Sequence, residues 1–126
     1  MKLISIASML CLALFSGFTP ATEQTKDCSL MHKGIFTYGD EKNPIKVTIK
    51  GENHTEYHGK YRIKSTIKWI NECEYEATLV EATIPDFPFK PGEVMNVKIT
   101  KVEDKDIFYT SVVNGESWSG KFKKIK

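Results

Sequence analysis

From Tyr61 to Trp69 the chain alternates without a break: Tyr61, Ile63, Ser65, Ile67 and Trp69 fall on one side of an extended backbone, and Arg62, Lys64, Thr66 and Lys68 on the other. Successive strand side chains point to opposite faces, so this run can bury its apolar residues and wet its charged ones together only as β-structure. A helix of about 3.6 residues per turn would scatter both sets around its circumference. The next run repeats the pattern, with Cys73, Tyr75, Ala77 and Leu79 on one face and Glu74, Glu76 and Thr78 on the other. Facing residues of a hairpin share a face. That parity predicts a turn at Ile70-Asn71-Glu72, with Trp69 opposite Cys73, Lys68 opposite Glu74, Ile67 opposite Tyr75 and Ser65 opposite Ala77.

Six shorter runs are of the same kind: Gly34 to Tyr38, Ile45 to Lys50, Asn53 to His58, Val94 to Lys101, Ile107 to Val113 and Ser117 to Lys123. Turn chemistry separates them at Asn43-Pro44, Gly51-Glu52, His58-Gly59, Glu103 to Asp106 and Asn114-Gly115, the last being the strongest hairpin signal. Links this short pair sequential strands with one another. The expectation is an all-β fold, an antiparallel meander of about eight strands forming an up-and-down barrel or a strongly curled sheet, lipocalin-like in outline.

One segment breaks the rhythm. Between Thr83 and Glu93, Pro85, Pro88 and Pro91 forbid a ladder while Phe87 and Phe89 offer apolar surface. This reads as a long crossing loop whose rings plug an open end of the core or cover it as a lid. The faces assigned inward carry Phe36 or Tyr38, Tyr57, Tyr61, Trp69, Tyr75, Tyr109, Trp118 and Phe122. Rings that bury roughly 150–250 Å² each predict a filled interior.

Ahead of the alternating region lies a secretory leader in outline: Lys2, an apolar stretch from Leu3 to Phe15, then small or polar residues to Ala21. Cleavage is expected after Ala21, with Ser16 as the alternative. Residues 1–21 are then a signal peptide and residues 22–126 a single domain. The apolar stretch is shorter than the roughly 20 residues of a membrane span. The expected product is periplasmic or extracellular, soluble and without a span once the leader is removed. Cys11 belongs to the leader, which leaves Cys28 and Cys73 as a pair in an oxidising compartment. An intramolecular bridge between them is the natural reading, the alternatives being separate thiols or a bridge between chains. Of 18 basic residues one, Lys2, falls in the leader, and the rest nearly balance 16 acidic ones. That balance argues against nucleic acid or an anionic membrane as partner.

Cys28, Lys33-Gly34-Ile35-Phe36-Thr37-Tyr38, His54-Thr55-Glu56 and Ile67-Lys68-Trp69-Ile70-Asn71-Glu72-Cys73-Glu74-Tyr75 follow one another in an order that resembles a family of small exported proteins from Bacteroidetes-type bacteria. Gly92, Val97-Lys98-Ile99 and the Trp118 to Phe122 segment extend the likeness over most of the chain after the leader. His54 stands where that family commonly has Gln, and Lys33 instead of Thr precedes Gly34. The resemblance implies an exported location and agrees with the Cys28–Cys73 pairing, but implies no activity. Some members carry a topoisomerase label, which finds no P-loop and no ATPase or DNA-cleaving domain here.

His54, Glu56 and His58 alternate along one predicted strand and project from the same face at intervals of about 6.5–7 Å. Imidazole and carboxylate suit zinc or copper. Three ligands on one straight strand do not converge on one ion, however, and the triplet is read as a solvated surface. Lys46, Lys50, Arg62, Lys64 and Lys68 lie beside Glu74 and Glu76 as an ordinary mixed surface. No catalytic residue, cofactor or metal is assigned. The expected function is non-enzymatic: a binding or interaction module whose outer surface, with the Pro85 to Pro91 loop, meets a partner. The alternative is a lipocalin-like carrier of a small apolar ligand, which requires an internal cavity on the order of a few hundred Å³.

Overall fold

Eight strands form where the alternation predicts them. The computed structural model describes residues 27–126, so the predicted leader, its cleavage position and Cys11 lie outside the described residues. The strands are β1 Gly34–Tyr38, β2 Ile45–Lys50, β3 Asn53–His58, β4 Tyr61–Asn71, β5 Glu74–Ala82, β6 Val94–Glu103, β7 Asp106–Val113 and β8 Glu116–Lys124. Each pairs with the next, and β1 also pairs with β8, antiparallel, through Phe36 opposite Lys124 and Thr37 opposite Lys123. The meander therefore closes into a barrel, the arrangement that removes exposed strand edges. Main-chain bonds from Ile35 N–H to Lys126 O (3.0 Å) and from Ile125 N–H to Ile35 O (2.7 Å) extend that junction. Among the described residues no helix is long and apolar enough to cross a membrane.

The β4–β5 hairpin keeps the predicted faces but corrects the predicted register. Trp69 lies opposite Tyr75, Lys68 opposite Glu76, Ile67 opposite Ala77 and Ser65 opposite Leu79, a slip of two residues from the expected pairing. A bulge between Trp69 and Asn71 takes Ile70 out of the ladder, and the turn tightens to Glu72-Cys73. Asn71 Oδ1 accepts the Cys73 N–H at 2.8 Å and holds that turn. Because the slip is even, no side chain changes face.

The two ends of the barrel differ. Into the lower end, where β4 turns into β5, enters a short 3₁₀ turn, Cys28–Met31, whose Cys28 and Met31 are buried. Cys28 is bonded to Cys73 with Cα atoms 5.2 Å apart. His32 stacks on Trp69 at 3.8 Å and donates from Nε2 to the Glu72 carbonyl at 2.9 Å. Lys124 Nζ donates to the Leu30 and Lys33 carbonyls at 2.7 and 2.6 Å and lies 4.9 Å from the centre of the Phe36 ring. A charge at an inward position is thus satisfied by the carbonyls of the plug. Phe36, Val47, Ile49, Ile67, Tyr75, Val97, Ile99 and Ile107 fill the space above it. Tyr109 stacks on Phe122 at 4.4 Å and covers Gly120, where an added Cβ would meet the tyrosine oxygen at 2.5 Å. That close approach explains a glycine in the middle of a strand.

The expectation of a filled interior holds for this lower half only. Of the rings assigned inward, Phe36, Tyr75, Tyr109 and Phe122 are buried, but Tyr57 points outward with 38% of its surface exposed and Trp118 stands at the upper rim. Removing the Cys28–Cys73 bridge by double substitution to serine is expected to destabilise the protein by about 4 kcal/mol, the chain-entropy value for a loop of this length. Denaturant titration of the two forms measures it; a loss below about 1 kcal/mol would show that the plug holds without its covalent tie.

Candidate functional site

The polar face of β3 turns into the barrel, which corrects its reading as a solvated surface. Two tight hairpins force this orientation. Across Gly51-Glu52, His54 lies opposite Ile49 and Glu56 opposite Val47; across Gly59-Lys60, His58 lies opposite Tyr61 and Glu56 opposite Ile63. Facing residues share a side, and Val47, Ile49 and Ile63 are core residues, so His54, Glu56 and His58 go in with them and Tyr57 goes out. The sequence carries the signal for this: the parity that governs the Trp69 hairpin, applied to these two turns, places the triplet inside.

The three residues have different surroundings. His54 is 2% exposed, its ring centre 6.2 Å from that of Tyr75. Neither its ring nitrogens nor the Tyr75 hydroxyl has a hydrogen-bond partner among the described residues. Burial therefore holds the imidazole below its ordinary proton affinity, against the opposing pull of the nearby Glu56 carboxylate. Glu56 Oε1 accepts two hydrogen bonds, from the Tyr38 hydroxyl at 2.6 Å and from His58 Nε2 at 3.0 Å. Burial alone would raise this carboxyl; the His58 bond, the nearby His54 and the Tyr38 bond together outweigh it and keep Glu56 below the usual carboxylate range. Burial, with the Glu56 charge second, pushes the phenols the other way: Tyr38 and Tyr75 well above their ordinary range and Tyr109 up to about 12.

Tyr38, Glu56 and His58, with Glu93 of the covering loop, are the polar part of a cavity of about 210 Å³ in the upper half of the barrel. Its walls are Ile63, Leu79, Met95 and Val113, with Ser65 and Ala77 deeper between them. The proline-rich loop covers the top. Phe87 and Phe89, 5.7 Å apart edge to face, line the cavity, as does Trp118 at the rim. Both phenylalanines thus face open volume and not a filled core. The loop is pinned at both ends, by Thr83 N–H to Arg62 O at 2.9 Å, Gly92 N–H to Leu79 O at 2.8 Å and Leu79 N–H to Glu93 O at 2.9 Å. Glu93 ties it to the β7–β8 turn, with Oε1 accepting from Asn114 Nδ2 at 2.6 Å and Oε2 from the Lys90 N–H at 2.8 Å.

Such an arrangement can enclose a small molecule with an apolar body and present one charged oxygen pair to its polar end. An apolar cavity of about 150 Å³ takes benzene, so this one has room for a single ring with a short substituent. Among the described residues no group of three or more His, Cys, Asp or Glu is gathered closely enough to hold a metal ion. His54 and His58 flank Glu56 along one strand but do not converge with it on a common point. Comparison of the chain with protein-family models, curated proteins and solved structures finds no match.

Acid should destabilise the fold through this face. The native state binds a proton at His54 less readily than the unfolded chain does, so the full contribution holds above the ordinary value of 6.5 and is lost as pH falls below it. Glu56 acts in the same direction lower down: its contribution is present above the ordinary 4.5 and is lost as pH drops through and below that value. Thermal midpoints measured from about pH 7 to about pH 4 are expected to fall continuously, and His54→Leu to flatten the upper part of the decline. Equal pH profiles for the wild type and His54→Leu would contradict the assignment.

Proposed function

We propose that the protein is an exported, non-enzymatic carrier or receptor that holds one small, largely apolar molecule in the upper cavity of its barrel. The observation that carries this reading is the contrast between the two ends. One is filled by side chains and sealed by a disulfide-tethered plug, and the other holds a half-open cavity of about 210 Å³ beneath a loop bearing two aromatic rings. Binding sites take this form, a concave and mainly apolar space with a few convergent polar groups. Eight-stranded barrels are of the size that holds one small ligand.

A binding role is favoured over catalysis by the state of Glu56. A general base works best with a proton affinity near the operating pH. Glu56 is displaced away from neutrality by the groups that hydrogen-bond to it. It is suited to keeping a charge and poorly suited to passing a proton. The Cys28–Cys73 bridge supports an oxidising, exported setting. The earlier expectation of an outer surface for a macromolecular partner finds less support than the interior does.

Toluene titrated into isotope-labelled protein is expected to shift the NMR signals of Ile63, Leu79, Met95 and Val113 and to leave those of the plug unmoved. Ala77→Leu, which fills the cavity from its wall, should abolish the response while retaining a folded spectrum. Absence of any response in the unaltered protein, or a response that survives Ala77→Leu, would refute the reading.

A further inference from the structure

The charge pattern of the cavity narrows the ligand. Among the described residues no Lys or Arg lines it, whereas two carboxylates do. They differ in availability. Both oxygens of Glu93 are occupied by the loop and the β7–β8 turn. At Glu56 both donors converge on Oε1, and Oε2 accepts no hydrogen bond among the described residues. An ionised carboxylate offers about four acceptor sites, so about half of this group's capacity is unspent, on a residue that lines the cavity. Glu56 keeps only 13% of its side-chain surface, and its hairpin neighbours Val47 and Ile63 are apolar. His58 Nε2, 3.0 Å from Oε1, brings a positive charge to this group only when protonated, and the Oε2 side of the buried carboxylate has no positive partner among the described residues.

Resting on the carrier reading above, we infer that the cavity is built for a small organic amine: an ammonium group donates to Glu56 Oε2, and a single-ring apolar body lies among Ile63, Leu79 and Met95 beneath Phe87 and Phe89. Neutral and anionic ligands of the same shape fit less well for separate reasons. A hydroxyl satisfies the free oxygen but brings no positive charge to it. A carboxylate meets Glu56 with like charge, and among the described residues no Lys or Arg lines the cavity to offset it. The phenol of Tyr38 already directs its proton to Glu56 and has only an acceptor left for the ligand.

Three probes of one shape test this by calorimetry at neutral pH: 2-phenylethylamine, 2-phenylethanol and 3-phenylpropionate. The amine is expected to bind about tenfold more tightly than the alcohol, the difference between a charge-assisted and a neutral hydrogen bond, and the carboxylate more weakly than either. Glu56→Gln keeps an oxygen for Tyr38 and His58 to donate to, and should bring amine and alcohol to equal affinity. Equal affinities in the unaltered protein, or the carboxylate binding best, would overturn the amine assignment while leaving the carrier reading in place. Failure of all three probes, together with no toluene response, would overturn both.

Discussion

Closure of the sheet is the constraint on which everything else depends. In an open sheet a polar strand can turn its chemistry to solvent on either side, but a barrel has one inside, and each strand must commit alternate residues to it. Once β2 and β4 turn Val47, Ile49 and Ile63 inward, β3 has no freedom left, and its two histidines and one glutamate become interior groups. Their burial is tolerable because they are not equivalent. His54 sheds its charge, and Glu56 keeps its own by accepting from Tyr38 and His58. A carboxylate inside an apolar wall is costly to maintain, which makes its placement beside enclosed volume the most informative fact about the molecule.

The plug and the loop are opposite solutions to the same problem, an open end. At the lower end the chain enters ahead of β1, is tied covalently to the β4–β5 turn and has its carbonyls taken up by Lys124. The upper end is spanned by the proline-rich segment, which is pinned at its bases by main-chain bonds and at Glu93 by side-chain bonds. Prolines limit the backbone of this loop without giving it a ladder to join. The rings of Phe87 and Phe89 therefore cover the cavity from a segment that is restrained but not part of the sheet.

Local patterns in the sequence made the strands, the turns, the disulfide and the closed meander legible, because alternation and turn residues act over a few positions at a time. Two features escaped for physical reasons. The β4–β5 register differs by two because the turn moves from Ile70-Asn71-Glu72 to Glu72-Cys73 and the bulge at Ile70 takes back part of that shift, and face parity, being blind to even slips, cannot detect the result. The face of β3 is hidden because its polar side chains point by composition to solvent, whereas the Gly51-Glu52 and Gly59-Lys60 hairpins impose the interior. The cavity follows from that exchange. With Tyr57 outside and Trp118 at the rim, two large rings expected in the core are missing from it, and smaller residues such as Ser65 and Ala77 line the space. A volume of this kind is a sum over many side-chain directions, and no single stretch of sequence displays it.

The junction between β1 and β8 has a consequence for how the barrel comes together and comes apart. Seven ladders join strands adjacent in the chain, whereas this one joins the first strand to the last through only two ladder pairs and a few flanking main-chain bonds. The entropy of closing a long loop is concentrated there, and contacts of high sequence separation form slowly. The barrel thus has a seam. Its bonds lie beside the plug, where Lys124, opposite Phe36, also holds the Leu30 and Lys33 carbonyls, so the seam cannot part without loosening the disulfide-tethered end as well.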